Sequence, residues 1–447
     1  MINLFDHNNQ AAADLLASLR QINQATPTIF IEDDGWLPEH TESPWSYFCE
    51  QGNSGQPLYF DRLALPDLWE IRGTNHAAEI YDDDRLAGQI IYAWPAEKRL
   101  IKEVKWFDRQ QRLRSVDHYN RYGRRFAETI YNLAEQPVIK TYYTQDQHEK
   151  IVENLVTNDI LLNGQFGEIF NFSNKTAFVK FYLQQREFDL SQVRYNSLSF
   201  PFFVSLNLPD NGNDILFWQE PLNQAIPANM SQILQNKAVR TKQIIFFEKS
   251  AYEFVKAHLP AETNVDLQLL GYLYPHHRLN HGGQQILIMT NSDQLEQIEP
   301  LIKELPEFEF KIAAVTEMSA KLQELQRYEN VRLFPNVSPI VTEQLWQTAD
   351  FYLDINHQAE IKNAVRTAFD NNLLILGFEN ILHAPRYVAQ AHIFKSAEFQ
   401  QLAALLKKCR LEQNFLQTQL KLQHLTANEV STASYRKLLT GEHHAKR

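Results

Sequence analysis

Hydrophobic positions along the chain follow two rhythms. In "AAADLLASLRQIN", residues 11–23, Leu15, Leu16 and Leu19 fall at i, i+1 and i+4, the stripe of an amphipathic helix. The next segment, "TPTIFIEDDG", is a short apolar run closed by acids and glycine, which predicts a buried strand. This alternation returns from residue 242, where "KQIIFFE" precedes "KSAYEFVKAHL" and "VDLQLLGYLY". From residue 285 it is continuous. Strands at "QILIMT", "FEFKIAAVT", "VRLFP" and "DFYLDI" are separated by helices at "SDQLEQIEPLIKEL", "SAKLQELQRY" and "TEQLWQTA". Helices between consecutive strands imply right-handed crossovers and a parallel sheet covered on both faces.

Between residues 57 and 200 the second rhythm takes over. In "AGQIIYAW", "RLIKEVKWFD", "RLRSVDHYN", "RFAETIYN", "PVIKTYYT" and "TAFVKFYLQ", aromatic and β-branched residues alternate with charges. Their spacing of roughly 10–15 residues predicts a meander of antiparallel strands with one solvated face. No strict sequence repeat is present, so neither a propeller nor a solenoid is expected.

A chain of 447 residues is too long for one core. The expected class is α/β, with two Rossmann-like domains and an inserted antiparallel meander. The first Rossmann-like domain is drawn from 1–56 and 200–275, the meander from 57–199, and the second Rossmann-like domain from 276–400. Residues 401–447 form a helical segment and tail, frayed at "EHHAKR".

Composition narrows the setting. Apolar residues make up 44% and charged residues 22%, an ordinary globular mixture that argues against large-scale disorder. Cys49 and Cys409 form neither a disulfide framework nor a CxxC motif, so a reducing, intracellular setting is expected. No secretory signal is read at "MINLFDHNNQAAADLL", and no stretch approaches the ~20 apolar residues that span a bilayer. The expectation is a soluble or peripherally attached cytoplasmic protein. A net charge of -11 disfavours nucleic acid. Six arginines fall in "RQQRLRSVDHYNRYGRR", Arg109 to Arg125, and because Arg112 and Arg114 flank Leu113 with period 2 the stretch is read as a solvated sheet face. The alternative is a binding face for a partner, phosphate or acidic lipid.

The chemistry concentrates at residues 349–380, where strand "DFYLDI", loop "NHQA", helix "EIKNAVRTAFDN" and strand "LLILGF" follow one another. Ile361, Ala364, Val365, Ala368 and Phe369 form one stripe that packs the helix on the sheet, so its N-terminus is expected at the ligand crevice. Close approach to phosphate uses glycine, yet this loop reads Asn356, His357, Gln358, Ala359. The chain has 14 glycines and neither GxGxxG nor GxxxxGK[ST].

This stretch resembles the donor site of the retaining glycosyltransferases with two facing Rossmann-like domains, known as GT-B. The resemblance implies two glutamates eight positions apart, glycines near the first, and a Gly-x-Pro before the next strand. Gln358 and Arg366 stand at the glutamate positions, and Asn371-Asn372-Leu373 replaces the Gly-x-Pro. Asp354, Asn356, Gln358, Arg366 and Asn372 therefore mark a degenerate donor site, with no catalytic residue assigned. Two Rossmann-like halves, a meander in the first, an intact "DFYLDIN" and a lost glutamate pair are together similar to the non-catalytic B-type subunit of the accessory Sec system's O-GlcNAc transferase. That family is called a glycosylation chaperone or glycosyltransferase-stabilising protein.

The resemblance implies a catalytic A-type partner that transfers GlcNAc from UDP-GlcNAc to serines and threonines of a serine-rich repeat adhesin. This chain would hold the acceptor, in a crevice retained after nucleotide binding was lost. It also implies a two-plus-two heterotetramer joined through the meanders. Two alternatives stay open. One is an active transferase in which Asp354, Glu360 or Glu379 replaces the lost pair; the other is a general adhesin-export chaperone.

Other features read mainly as structure. "YPHHRLNHGG", with His276, His277 and His281, has no complete ligand set and is expected to be a linker, so neither metal nor cofactor is assigned. His277 and Arg278 are retained as candidate acceptor contacts, as are Asp33 and Asp34 of "EDDGW", whose simpler reading is a turn. "YDDDR", Tyr81 to Arg85, is expected to be a hairpin turn. Asn174-Lys175-Thr176 is formally a glycosylation sequon, without meaning in a cytoplasmic chain. Trp45, Tyr47, Trp69, Trp94 and Trp106 are assigned to core or interface ahead of sugar stacking.

Overall fold

The computed structural model describes residues 1–440 except 23–24, 75–76, 210–211, 223–224, 237–238, 261 and 362. The "EHHAKR" tail, the last residue of the first expected helix and Lys362 in the "EIKNAVRTAFDN" helix lie outside the described residues. The chain divides into two units, Met1–Leu270 and Gly271–Arg447.

The first unit is built on a six-stranded parallel sheet. In spatial order its strands are Asp266–Leu269, Thr241–Phe246, Asp214–Trp218, Val193–Tyr195, Ile2–Phe5 and Thr28–Phe30. Strand order reverses beside Ile2–Phe5, whose neighbours are the second and a much later strand, so a topological switch point lies between Ile2–Phe5 and Val193–Tyr195. Most of these strands are buried along their whole length, which is why they read as unbroken apolar runs.

The insertion is a ten-stranded antiparallel sheet, from Trp69–Gly73 to Glu168–Phe172, each strand pairing with its sequence neighbours. Four of its turns share one design. Asp108, Asn120 and Asn132 each accept backbone N–H groups two and four residues on at 2.9–3.1 Å. Thr144 accepts from His148 at 3.1 Å. Gln111, Gly123, Glu135 and Gln147 take the left-handed conformation in these turns. A five-residue turn and a seven-residue strand thus repeat as a local unit, although the sheet stays open as expected. The Tyr81–Arg85 stretch is likewise a hairpin turn, with Asp83 at φ 57°.

The meander packs on the α/β layer through one core. Trp45 stacks on Tyr142 with ring centroids 4.3 Å apart and contacts Phe178 at 4.8 Å. Several arginines of the 109–125 stretch are held within the unit: Arg112 donates to Asp108 at 2.9 Å, Arg125 to Asp117 at 2.8 Å, and Arg124 to the Gln51 carbonyl.

One expected strand is a helix. "TAFVKFYLQ" lies in Lys175–Gln185, capped by the Asn174 side chain, which accepts the Ala177 N–H at 2.9 Å. Its buried residues are Phe178, Val179, Tyr182 and Leu183, an i, i+1, i+4, i+5 face that dense aromatics disguised as alternation. The residue read formally as a sequon is this cap.

The second unit has a six-stranded parallel sheet ordered Val331–Phe334, Glu309–Ala314, Gln285–Thr290, Phe351–Asp354, Leu374–Phe378 and Ile393–Phe394. This 3-2-1-4-5-6 order is the doubly wound arrangement, with its switch point between Gln285–Thr290 and Phe351–Asp354. The helix expected from Glu360 begins only at Ala364, because Asn363 adopts a left-handed conformation. The helix expected over 292–305 is confined to Ile298–Glu304. Helices Phe399–Leu411, Gln413–Thr426 and Thr432–Thr440 complete the unit. Among the described residues no helix is long and apolar enough to cross a membrane. Cys49 and Cys409 are free and buried, and burial pushes the Cys409 thiol up to about 12.

Candidate functional site

The switch point of the second sheet is where a sugar nucleotide would be sought. Strand Phe351–Asp354 delivers Asp354, Ile355 and Asn356 there, all buried. The loops from the two strands flanking the switch point are laced together. Glu296 N–H donates to the Ile355 carbonyl at 2.9 Å, and His357 N–H to the Gln294 carbonyl at 3.1 Å. The Asn356 amide spans what remains: Oδ1 lies 3.0 Å from the Thr290 hydroxyl, while Nδ2 donates to Asn291 Oδ1 and the Gln358 carbonyl, both at 3.0 Å. In place of glycine amides open to phosphate, this loop has bonded its polar groups to itself.

His383 closes the arrangement. Its Nδ1 is 2.5 Å from Asp354 Oδ1, its backbone N–H donates to Asp354 Oδ2 at 2.8 Å, and its Nε2 is 2.7 Å from the Gln358 carbonyl. Both ring nitrogens face oxygen, so the imidazolium form is held, and the hydrogen bond to Asp354 raises the pKa to about 9. Because the folded-state value lies above the ordinary ~6.5, this pair's stabilisation is fully present below about pH 6.5 and is lost as pH rises through about 9. Titration of the His383 ring by NMR is expected to give a midpoint near 9, and Asp354→Asn to bring it down toward the ordinary value.

The remaining expected donor-site residues separate. The Gln358 side chain is exposed, and its carbonyl serves as the acceptor just described. Arg366 is buried on helix Ala364–Asp370 and turns toward that helix's end. Its Nε donates to both Asp370 oxygens at 2.9 Å and its Nη1 to the Tyr387 hydroxyl at 2.8 Å. Its guanidinium also faces the Tyr274 and Tyr387 rings at 4.9 and 5.4 Å. Asn372 takes φ 57°, the conformation glycine usually supplies, but it precedes strand Leu374–Phe378 and so sits at the sheet edge opposite Asp354. Asp354, Asn356 and Gln358 are therefore together; Arg366 and Asn372 are elsewhere.

Of the other acids, Glu360 lies near Asp354 and His383. The Glu360 carboxylate accepts the Val365 N–H at 2.8 Å, and burial raises its pKa. Glu379 is exposed in the turn after strand Leu374–Phe378.

Of the candidate acceptor contacts, two are tied down. His277 donates its backbone N–H to the Asp370 carbonyl at 2.9 Å, and Arg278 donates to the Ala349 carbonyl at the amino end of its strand. The three histidines of "YPHHRLNHGG" do not converge. His276 instead stacks on His424 at 4.4 Å and meets Glu429 at 2.9 Å.

Asp33 and Asp34 lie in the first unit, and Asp33 lines a cavity there. The turn reading holds locally: Asp33 accepts the Gly35 N–H at 2.8 Å and Asp34 the Trp36 N–H at 3.0 Å. Gly35 has φ 77°, and a Cβ there would lie 2.6 Å from Phe126. Burial raises the Asp33 pKa, and Asp34 pairs with Lys102 at 2.9 Å. Asp33 and Trp36, the 51–57 loop, Trp94 and Tyr122 line a cavity of about 730 Å³. Trp94 is 68% exposed there, whereas Trp45 is core and Trp106 donates to Asp117 at 2.7 Å. Sequence reasoning missed Trp94 and Tyr122 as cavity residues; a tryptophan followed by proline at a strand end was the available signal.

Two doubly wound sheets and an inserted meander define a GT-B-type protein, whose second switch point is laced by the chain's own side chains. Comparison with known proteins agrees. The chain matches the GtfB N-terminal domain over residues 2–48, the GtfB middle domain over 69–186, the GtfB third domain over 175–257 and the GftB/GlyA-F C-terminal domain over 286–423. It is 42% identical to the "UDP-N-acetylglucosamine--peptide N-acetylglucosaminyltransferase stabilizing protein GtfB" of Limosilactobacillus reuteri subsp. suis, across 98% of this chain and 99% of that one. The Streptococcus gordonii protein of the same name is 41% identical across 99% and 100%. A chain in a crystal structure of the GtfA/B complex bound to UDP and GlcNAc superposes with a TM-score of 0.92 at 40% identity, covering 99% of both chains. The pneumococcal O-GlcNAc transferase GtfA, with a TM-score of 0.53 at 12% identity over 98% of both chains, is a likeness of fold. The chain belongs to the GtfB family of glycosyltransferase-stabilising proteins, and it is not a catalytic subunit.

Proposed function

We propose that this chain is the acceptor-holding and stabilising co-subunit of a cytoplasmic protein O-GlcNAc transferase. Its catalytic partner adds GlcNAc from UDP-GlcNAc to serines and threonines of a serine-rich repeat adhesin before export by the accessory Sec system. The observation that carries this reading is the Asn356 amide bonded across the second switch point, backed by His383 on Asp354. A chain that has closed its donor crevice contributes by binding protein. A Ser/Thr-rich acceptor is disordered, and tethering it to a second subunit raises its effective concentration at the catalytic one.

The partner is assigned to one end of the meander, and the assembly is a two-plus-two heterotetramer. Ile130 and Ile139 are cross-strand neighbours, 41% and 36% exposed, and Leu133 and Val156 in the adjoining turns are 65% and 68% exposed. Exposed apolar residues gathered at one sheet end mark a protein-binding surface. Replacing the two isoleucines by an opposite-charge pair, Ile130→Glu with Ile139→Lys, keeps a favourable cross-strand contact while removing the apolar patch. Co-elution with the partner transferase is expected to be lost, with Kd weakened by roughly a hundredfold or more and the Tm of the isolated chain unchanged within ~2 °C. Unaltered co-elution of this variant would remove the meander end from the interface. Peripheral attachment at the cytoplasmic membrane face is part of the same proposal, and vesicle flotation of the assembled complex tests it.

A further inference from the structure

The first unit has its own switch point, between Ile2–Phe5 and Val193–Tyr195, and ligands in open α/β sheets lie outside the strand ends at such a place. The chain beyond these two ends is joined by Asp6, whose backbone N–H donates to Asn196 at 3.0 Å and whose carboxylate accepts from Ser197 at 2.9 Å. A cavity of about 280 Å³ lies beside this edge, between the loops that follow Ile2–Phe5 and Thr28–Phe30 and the face of the meander.

Nearly every polar side chain in its wall already has a partner. Glu32 pairs with Lys175, Asp33 accepts from Ser43 and Gly35, and Asp34 pairs with Lys102. Glu103 lies 3.5 Å from His118, whose other nitrogen meets Thr129 at 2.9 Å. His7 is 3.3 Å from Asp6, and Asn8 donates to the Trp36 carbonyl at 3.2 Å. Lys140 is the exception. Among the described residues its ammonium has neither a hydrogen-bond nor an ion-pair partner, and it stands over the Tyr142 ring at 4.9 Å. Burial lowers its pKa, against the opposing pull of Glu32, Glu153 and Asp33.

The signs of charge select the ligand. An anion would meet the carboxylates of Glu32, Asp34 and Glu103, and a cation would meet Lys140 beside Lys102 and Lys175. A hydroxyl satisfies both sets at once, accepting from an ammonium and donating to a carboxylate. We infer that this cavity receives a neutral hydroxyl group of the acceptor, a serine or threonine side chain, with Lys140 donating a hydrogen bond to its oxygen and Asp34 or Glu103 accepting the hydrogen bond that the hydroxyl donates. The inference rests on the acceptor-holding reading and gives it a location. A sugar hydroxyl offers the same chemistry from a second source, so the test carries an arm for each.

The full chain, wild type and Lys140→Met, is titrated with a serine-rich peptide, with the same peptide carrying alanine at every serine, and with free N-acetylglucosamine. Loss of one charge-assisted hydrogen bond is expected to weaken the serine peptide by roughly tenfold or more, with the alanine peptide equally weak on both proteins. A loss confined to N-acetylglucosamine would keep the site and assign it to sugar. Equal affinity of both proteins for peptide and sugar overturns the inference while leaving the acceptor-holding reading intact; no serine-peptide or sugar binding by the wild type overturns both. Wild-type protein provides a check independent of folding. Acylation of Lys140 by an amine reagent, read by mass spectrometry against exposed Lys256, is expected to slow several-fold with the bound ligand only. Absence of protection counts against the site.

Discussion

Gln358→Glu combined with Arg366→Glu, which places acids at the two positions aligned with the GT-B glutamates although Arg366 sits away from Asp354, is expected to destabilise the second unit by roughly 3–5 kcal/mol without creating UDP-GlcNAc binding. The cost comes from Arg366. Its guanidinium bonds both Asp370 oxygens and the Tyr387 hydroxyl while facing two tyrosine rings. A carboxylate there would stand beside Asp370 in place of the guanidinium that now bonds it. Binding is not regained because the obstruction lies elsewhere: Asn356 bridges to Thr290 and Asn291, and His383 holds Asp354 and the Gln358 carbonyl. Thermal unfolding with and without UDP-GlcNAc measures both parts, since a ligand that binds the folded state raises Tm. Arg366→Met, which adds no like charge, separates loss of the pair from repulsion. A nucleotide-dependent rise in Tm for the double variant would mean that the glutamates alone had been missing.

In the first unit, Arg240→Met is expected to have a comparable effect. Asp214 is fully buried and accepts from Arg240 Nε at 3.0 Å, Arg240 Nη2 at 2.9 Å, the Val193 N–H at 2.9 Å and Ser205 at 2.6 Å. The cluster pins strand Val193–Tyr195 to strand Asp214–Trp218, next to the switch point that borders the small cavity. Removing the guanidinium leaves a buried carboxylate without its cation, a loss of roughly 3–5 kcal/mol. For a unit of this size that lowers its Tm by on the order of 10 °C. Adding Asp214→Asn to Arg240→Met is expected to recover part of the loss, since the stranded charge goes with it. A drop of less than ~1 kcal/mol for the single variant would show that water already reaches this pair.

Different features of the chain were legible to different degrees. The second sheet could be read almost strand by strand, because each buried parallel strand is an apolar run and each crossover carries a helical stripe. The ten-stranded sheet was legible as a meander from alternation in segments such as "RFAETIYN". Its turn unit was hidden because Asp108, Asn120, Asn132 and Thr144 share a capability, accepting backbone N–H groups, and not an identity. Helix Lys175–Gln185 was misread because a phenylalanine-rich surface suits a strand as well as a helix, and its Asn174 cap looked like a sequon.

Gln358 and Arg366 suggested a lost glutamate pair by alignment, and the structure keeps only Gln358 beside Asp354. What took the place of the pair was not visible. His383 is distant in sequence from Asp354, and Asn356 acts through Thr290 and Asn291 on another strand's loop. Lys140 was invisible for a similar reason: its lack of a partner is a property of the residues folded around it. Asp33 and Asp34 were read as a turn and as cleft acids, and they form both a turn and part of the wall of the small cavity.

The central claim is that this chain holds and stabilises while its partner transfers. Transfer of labelled GlcNAc from UDP-GlcNAc to a Ser/Thr-rich acceptor peptide, by this chain alone, by the partner transferase alone and by the two mixed, tests it most directly. The predicted result is no transfer by this chain, weak transfer by the partner, and strong transfer by the mixture. Robust transfer by this chain alone would contradict it, and would mean that Asp354 and Glu360 do donor chemistry despite the partners they hold here.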